Sequence, residues 1–424
     1  MDLIGLIVIL TGVLVFGLFS KKLQGTPITL PIVFTGFGWL IGTAGLGLAD
    51  IDPSHGVIHT IAELTLILVL FSDAARIDLK RLLVDHDLPL RLLTIGMPLT
   101  IIVGALIALS IFPEATWPMV FLVAAMLAPT DAALGQPVVS SPVVPVRIRQ
   151  ALNVESGLND GIALPLVLAF AIWAGAPVEE AVGLGDVFTF AALQLTIGPL
   201  VGLCVGYAGA RLIDAAITRQ WITEPFQGIA ILCIALAAFA IAESIGGNGF
   251  ISAFTAGLFF GSLIRHHCKF LFEFMESEGH LLTIIIFIIF GAVMLPQALH
   301  DAVWGTVLLA LLFLTLIRML PVALSVTGLG LSLPSKLFLG WFGPRGIASI
   351  LFALLILEDY PIPGGEELLA CVVITVALSI LLHGITAAPL AKAYGEFVGS
   401  RGECAETKDV SEMPVRHGLI QDHR

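Results

Sequence analysis

The sequence predicts an all-α, polytopic membrane protein with about thirteen transmembrane helices. The first observation is composition: 58% of the 424 residues are hydrophobic and only 12% are charged, whereas soluble domains carry about 25% charged residues. A chain of this composition cannot cover its surface with polar groups, so lipid must cover much of it. The second observation is a regular series of apolar segments, and the third is the distribution of basic residues between them.

The apolar segments predict the individual spans, because a helix that crosses the hydrocarbon layer needs about 20 mostly apolar residues. Two of the segments are shorter than this and are expected to tilt little. The predicted spans are 3–19, 28–47, 57–72, 90–112, 117–134, 150–173, 188–212, 225–245, 250–264, 280–299, 303–325, 335–357 and 367–390.

The basic residues predict the orientation, because cytoplasmic loops are enriched in Lys and Arg. With the N-terminus outside, the inner loops are basic and the outer loops are acidic. Of the 20 Lys and Arg residues, all except Arg318 and Arg345 lie in inner loops or in the C-terminal tail. The sequence therefore predicts a transmembrane domain over 1–391 and a short cytoplasmic tail over 392–424.

Two predicted spans carry a proline beside a charged residue in mid-membrane. The fifth contains Ala-Pro-Thr-Asp at 128–131, and the twelfth contains Gly-Pro-Arg-Gly at 343–346. Proline removes a backbone donor and clashes with the preceding turn, so it interrupts a helix. The two spans are seven positions apart, as expected if two six-helix halves flank one linking helix. Paired interruptions of this kind indicate a transporter binding site, and two ordinary proline kinks are the alternative.

A polar cluster begins the sixth predicted span, with Asn-Val-Glu-Ser-Gly-Leu-Asn-Asp-Gly at 153–161. Ser156 and Asp160 are four residues apart and share a helix face, and Glu155 and Asn159 share the neighbouring face. Oxygen-rich sites suit hard cations, and an intramembrane carboxylate is a candidate functional group. A carboxylate that binds either a cation or a proton exchanges the two by competition, and Asp160 is the candidate. A polar helix interface without ion traffic is the alternative.

Together, these three motifs resemble the signature sequences of the NhaP/NHE-type monovalent cation–proton antiporters. The segments 246–250 and 256–258 are similar to a further stretch of that family, and the resemblance extends from about 5 to 390. It implies an NhaA-like antiporter fold, in which two inverted six-helix repeats contain discontinuous helices that cross. It also implies a homodimer, in which a core subdomain moves against a dimerisation subdomain.

The resemblance implies an ion site for Na⁺ formed by Asp160, Ser156 and the backbone of Thr130. In that arrangement Asn159 bridges to the first interruption, near Thr130 and Asp131. Related electrogenic antiporters have two aspartates where this chain has an Asn-Asp pair. The neutral residue at 159 therefore implies electroneutral exchange, one cation for one proton.

Two arginines and a glutamate complete the implied site. Glu155 is expected to form a charge-compensating pair with Arg345, and Arg318 matches a second family arginine. Further titratable residues lie in or near the spans without an assigned role. They are Glu63, Asp73, Glu243, His266 and His267.

The implied function is secondary active exchange of Na⁺, and also Li⁺, for H⁺ across the inner cell membrane, with a role in pH homeostasis. No resident cofactor and no nucleic-acid partner is expected, and the transported ions are the only small-molecule partners. K⁺/H⁺ exchange by the same fold remains an alternative. A channel and an intramembrane enzyme are further alternatives, but the sequence contains no Walker loop, and the Gly-x-Gly-Asp string at 183–186 lacks the partner Tyr-Asp of intramembrane proteases.

Overall fold

Long apolar helices, two of them interrupted, make up the architecture. The computed structural model describes residues 3–23, 26, 28–49, 51, 56–77, 79, 86–131, 134–175, 184–264, 269–359 and 366–410, and every regular element in these ranges is helical. A π-helical turn over Leu92–Gly96 lies within the helix Asp87–Ile111, and another over Phe290–Met294 joins the helix Lys269–Ile289 to the helix Leu295–Asp301. The helices are α1 (Leu3–Leu23), α2 (Leu30–Ile41), α3 (Gly56–Ala75), α4 (Asp87–Ile111), α5 (Trp117–Met126), α6 (Gln136–Val139), α7 (Val146–Gly175), α8 (Leu184–Thr218), α9 (Glu224–Ser244), α10 (Gly249–Leu263), α11 (Lys269–Ile289), α12 (Leu295–Asp301), α13 (Trp304–Leu314), α14 (Leu316–Ser325), α15 (Leu333–Trp341), α16 (Ile347–Asp359) and α17 (Glu366–Gly399).

The predicted spans coincide with these helices. Among the described residues, nine helical segments are long and apolar enough to cross a membrane, and four shorter apolar helices accompany them. The shorter ones include α5, α10 and the apolar part of α16. The all-helical, multi-span fold is therefore confirmed, while the exact number of thirteen crossings stays a prediction.

Several predicted ends are corrected by the structure. The fifth predicted span does not continue to 134, because α5 ends at Met126, before the proline at the interruption. In the twelfth span the predicted interruption is present, because α15 and α16 are separated at 342–346 by non-helical backbone. The last extends beyond 390, because α17 continues through Pro389 to Gly399.

The surface of α1 is apolar and largely unpacked against the rest of the described chain. This helix is almost entirely apolar, and of its residues only Gly5 is buried. An exposed apolar surface of this extent indicates contact with lipid or with another protein chain. Trp221, just after α8, and Trp304, at the start of α13, are 73% and 89% exposed. Tryptophan is enriched at the boundary between lipid and water, so these two positions are consistent with that boundary.

Small residues allow α10 to pack closely against its neighbours. A Cβ atom at Gly206 of α8 would collide with the carbonyl oxygen of Ala256 in α10. A Cβ atom at Gly257 of α10 would collide with the carbonyl oxygen of Phe71 in α3. Membrane helices associate through such small residues because their backbones can approach each other.

The first part of the C-terminal tail docks on the transmembrane domain. A short 3₁₀ turn over Ala405–Thr407 follows α17, and its Glu406 is only 1% exposed. One Glu406 carboxylate oxygen accepts hydrogen bonds from the backbone N–H of Ser332 at 2.9 Å and from the Ser335 hydroxyl at 2.7 Å. Arg147, near the start of α7, donates to the carbonyl of Ala405.

These contacts determine the charge of Glu406. Burial by itself raises the pKa of this carboxyl group, but the hydrogen bonds from Ser332 and Ser335 outweigh burial and lower the pKa from 4.5 to about 2. The carboxylate therefore lies ionised at the first turn of α15, where a negative charge is favourable. Residues 411–424, the remainder of the predicted tail, lie outside the described residues.

Candidate functional site

The two interrupted helices meet at their breaks. The backbone N–H of Asp131, at the first break, donates to the carbonyl of Pro344, at the second break, over 2.8 Å. The Asp131 carboxylate accepts from the N–H of Ile347, the first residue of α16, at 2.9 Å. The first N–H groups of a helix lack partners within that helix, so a carboxylate there is stabilising. Glycine is required at 346 because a Cβ atom would collide with the Asp131 carboxylate.

A guanidinium and a hydroxyl group from the second break donate hydrogen bonds to backbone carbonyl groups at the two breaks. The Arg345 guanidinium donates to the carbonyls of Gly343 at 2.9 Å and of Pro129 at 3.3 Å. The Ser349 hydroxyl donates to the carbonyl of Met126, the last residue of α5, at 2.7 Å. Cations are favourable near helix C-termini, where carbonyl groups lack partners. Side chains from each break therefore hydrogen-bond the unpaired backbone groups of a helix end at the other break: Asp131 at the start of α16, and Ser349 at the end of α5.

The polar face of α7 contacts the first break. The hydroxyl oxygens of Thr130 and Ser156 are 3.1 Å apart, and the Asn159 amide donates to the Thr130 hydroxyl at 2.7 Å. Asn159 Oδ1 is buried and has no hydrogen-bond partner among the described residues. Asp160 is 7% exposed and lies one turn after Ser156, on the same helix face. The structure thus brings Thr130, Ser156, Asn159 and Asp160, four of the predicted site residues, together beside the first break.

The partner of Glu155 differs from the expected one. Glu155 Oε1 lies 2.6 Å from Arg318 Nη1, and the two side chains are 2% and 1% exposed. The expected pair with Arg345 is therefore corrected, although Arg345 lies within electrostatic range of both residues. The physical reason is that Arg345 turns toward the carbonyls at the breaks. Arg318 packs against Gly343, where a Cβ atom would lie 2.5 Å from Arg318 Nε.

Two functional candidates on α17 were not identified from the sequence. The backbone N–H of Arg345 donates to Ser379 Oγ at 2.7 Å. His383 Nε2 lies 2.8 Å from the carbonyl oxygen of Trp341, the last residue of α15. His383 is only 1% exposed. A lone histidine in an otherwise apolar span was the available signal, because titratable groups in a membrane are expected to have partners.

The remaining titratable candidates contribute to structure or lie elsewhere. Glu243 accepts a hydrogen bond from the N–H of Gly249 at 2.7 Å, and Asn248 accepts one from the N–H of Ile251 at 2.9 Å. These contacts satisfy donors at the start of α10. Glu63 and Asp73 both lie on α3. The pair at 266 and 267 lies outside the described residues.

Comparison with known proteins decides the family. The family model described as "Sodium/hydrogen exchanger, transmembrane" matches residues 6–393. The chain belongs to the transmembrane sodium/hydrogen exchanger family. This result confirms the resemblance carried by the three sequence motifs.

Relatives of this exchanger are antiporters. The K⁺/H⁺ antiporter NhaP of Alkalimonas amylolytica is 25% identical over 409 residues, which cover 92% of this chain and 67% of that protein. The Na⁺/H⁺ antiporter ApNhaP of Aphanothece halophytica is 27% identical over 431 residues, which cover 97% of this chain and 77% of that protein. The exchanger chain is thus shorter than both.

A solved structure shows the same fold. The sodium proton antiporter MjNhaP1 from Methanocaldococcus jannaschii superimposes on this exchanger with a TM-score of 0.77 at 20% sequence identity, covering 92% of this chain and 97% of that chain. At this identity the similarity establishes the fold alone.

Proposed function

We propose that this chain exchanges Na⁺ for H⁺ across the cell membrane by alternating access, with one ion exchanged for one proton. Asp160 binds either the cation or the proton. The observation that carries this proposal is the burial of Asp160 one turn after Ser156, whose hydroxyl lies 3.1 Å from that of Thr130 at the first break. The site therefore combines a carboxylate with neutral oxygens beside an interrupted helix.

The ligand chemistry suits a small, hard cation. Carboxylate, hydroxyl and carbonyl oxygens are the groups that such cations prefer. Besides Asp160, the described residues supply the hydroxyls of Ser156 and Thr130 and the buried Oδ1 of Asn159. The backbone at the break adds the carbonyl of Thr130, which lies 3.4 Å from the Asn159 amide nitrogen. Backbone carbonyls of interrupted helices are a recurrent source of cation ligands in transporters.

The charges of the site support a one-to-one exchange. Two buried arginines and three buried carboxylates lie at the breaks and on the adjoining face of α7, and when all are ionised their charges sum to −1. One Na⁺ or one proton brings this sum to zero. Because a net charge is costly in a low-dielectric environment, both loaded forms are suited to movement through the membrane. The residues are Asp131, Glu155, Asp160, Arg318 and Arg345.

Asp160→Asn tests this proposal. In everted membrane vesicles that carry a proton gradient, the variant should lose Na⁺-dependent proton movement, because the amide cannot take up and release a proton. Asp214→Asn is the matched control, since Asp214 is a buried aspartate on α8, away from the motifs that form the breaks. Both variants are compared at equal protein levels in the membrane. Exchange at the wild-type rate in Asp160→Asn would contradict the assigned role.

K⁺/H⁺ exchange is the second candidate function. It is favoured by one specific observation, because a relative that is 25% identical is a K⁺/H⁺ antiporter. The same oxygen ligands can bind K⁺, so the site does not discriminate by ligand type. Acridine-orange dequenching with Na⁺, Li⁺ and K⁺ over a pH series separates the two functions. A response to K⁺ alone would replace Na⁺ with K⁺ in the proposal.

We further infer a cell-membrane location with the N-terminus outside and the C-terminus in the cytoplasm, and a homodimeric assembly. The orientation is supported by Lys21 and Lys22 in the last turn of α1, since basic residues favour the cytoplasmic side. Labelling of single cysteines introduced at either end of α1, in intact cells, tests the orientation. Chemical crosslinking in native membranes tests the dimer.

A further inference from the structure

We infer that His383 is a positioning residue for the cation site, because with Ser379 it holds both sides of the second break against α17. This inference rests on the proposed function of the site. His383 touches neither Asp160 nor a transported ion in our proposal. It acts through the backbone of the break and through Arg345.

His383 has hydrogen-bond partners on both sides of its ring. A carbonyl oxygen can only accept, so the 2.8 Å contact between His383 Nε2 and the Trp341 carbonyl places a hydrogen on Nε2. On the other side of the ring, Nδ1 lies 3.1 Å from the hydroxyl oxygen and 3.1 Å from the carbonyl oxygen of Ser379. Ser379 Oγ in turn accepts from the backbone N–H of Arg345 at 2.7 Å. One imidazole therefore links the carbonyl before the break, through one hydroxyl, to the amide after it.

This link spans the non-helical part of the second break. Trp341 is the last residue of α15, and its carbonyl accepts from the backbone N–H of Gly343 at 2.8 Å as well as from His383. Residues 342–344 separate it from Arg345. Ser379 and His383 are one turn apart on the long helix α17, so they present two fixed points on one helix face. The distance between the two ends of the break is thereby set by a continuous helix.

The effect of this link reaches the first break. Arg345, whose backbone is held by Ser379, extends its guanidinium to the Pro129 carbonyl at 3.3 Å. Pro129 directly precedes Thr130, whose hydroxyl contacts Ser156 and Asn159. A shift of the Arg345 backbone would therefore displace oxygens that surround the proposed cation. We expect such a shift to weaken cation binding more than it slows the movement of the loaded carrier.

Two substitutions at the same position separate the roles of the ring nitrogens. In His383→Gln the side-chain amide can place a donor near the position of Nε2, whereas the shorter amide in His383→Asn can reach only the Ser379 side. We expect His383→Asn to raise the apparent KM for Na⁺ about threefold to tenfold, the effect of one lost buried hydrogen bond. We expect His383→Gln to stay within about twofold of the wild type, and the maximal rates of both to change less than the KM.

A second pair of variants supplies a test that does not depend on the imidazole. Ser379→Ala removes the acceptor for the Arg345 N–H and should raise the KM in the same way. Thr375→Val is its matched control, because Thr375 is fully buried one turn earlier on α17 and, among the described residues, its hydroxyl bonds with Cys371 of the same helix alone. The KM of Thr375→Val should equal that of the wild type.

The outcomes distinguish this inference from the proposed function. An unchanged KM in His383→Asn, or equal KM increases in Ser379→Ala and Thr375→Val, would overturn the inference while leaving the exchanger assignment intact. If His383→Asn fails to accumulate in the membrane, the comparison of Ser379→Ala with Thr375→Val decides. A wild-type protein without cation-dependent proton movement would refute the proposed function, and this inference with it.

Discussion

Removing either partner of the buried ion pair between Glu155 and Arg318 should destabilise the protein by about 3–5 kcal/mol. The side chains are 2% and 1% exposed and approach to 2.6 Å, so neither charge is screened by solvent when the other is removed. Glu155→Gln leaves the Arg318 charge buried, and Arg318→Gln leaves the Glu155 charge buried. The double variant removes both charges, and its loss of stability should be smaller than the sum of the two by about 2–3 kcal/mol.

A pair of double-mutant cycles measures this coupling. The free energy of unfolding is determined in mixed detergent micelles for each single and double variant, first for Glu155 with Arg318 and then for Glu155 with Arg345. Because Arg345 lies within electrostatic range of Glu155 but has no ion-pair contact with it, its coupling should stay below about 1 kcal/mol. Additive losses for the first pair, or a larger coupling for the second, would refute the assignment of Arg318 as the partner.

Three further predictions follow from the site and the tail. Gly346→Ala should abolish exchange, because the new Cβ would collide with the Asp131 carboxylate, whereas Gly36→Ala, which has open space around the new Cβ, should leave exchange unchanged in the same vesicle assay. Asn159→Asp adds a titratable carboxyl group and changes the ionised sum at the breaks from −1 to −2, so exchange should become sensitive to membrane potential; a neutral cycle that persists would show that other residues set the stoichiometry. Glu406 has a pKa lowered to about 2, so its contribution is complete above the unfolded value near 4.5 and is lost as the pH falls toward 2. The protection of backbone amides at 400–410 against hydrogen exchange, after correction for the intrinsic exchange rate at each pH, should therefore be constant from about pH 6 to pH 9 in the wild type and lower in Glu406→Gln, and a change of protection near neutral pH would contradict this assignment.

The general fold could be predicted because its signals are local. Apolar segments of about 20 residues predict membrane helices, and the prolines at 129 and 344 predict interruptions. The exact ends could not be predicted in the same way. For example, α5 ends at Met126, before Pro129, and the carbonyl of Met126 accepts a hydrogen bond from the Ser349 hydroxyl. These two residues are 223 positions apart in the sequence, so the contact cannot be read from the local pattern.

The site was predictable to the extent that its residues are neighbours in sequence. Ser156, Asn159 and Asp160 share one stretch of α7, so their proximity follows from helix geometry. The partner of Glu155 did not follow, because two arginines were available and only the tertiary structure brings Arg318 to it. The role of α17 was missed for a similar reason: a serine and a histidine one turn apart show a function only when the break that they contact is known.

The contacts at the breaks have a consequence for the transport cycle. Asp131 binds the start of α16, Arg345 binds the end of the first break, and the two breaks share a backbone hydrogen bond. Glu155 of α7 is joined to Arg318 of α14. Opening the site by separating α5, α7 and α16 would break these buried polar contacts together, and each would leave an unsatisfied group in a medium without water. We therefore expect that, during alternating access, these helices move as one unit against the remaining helices, with the cation site intact throughout.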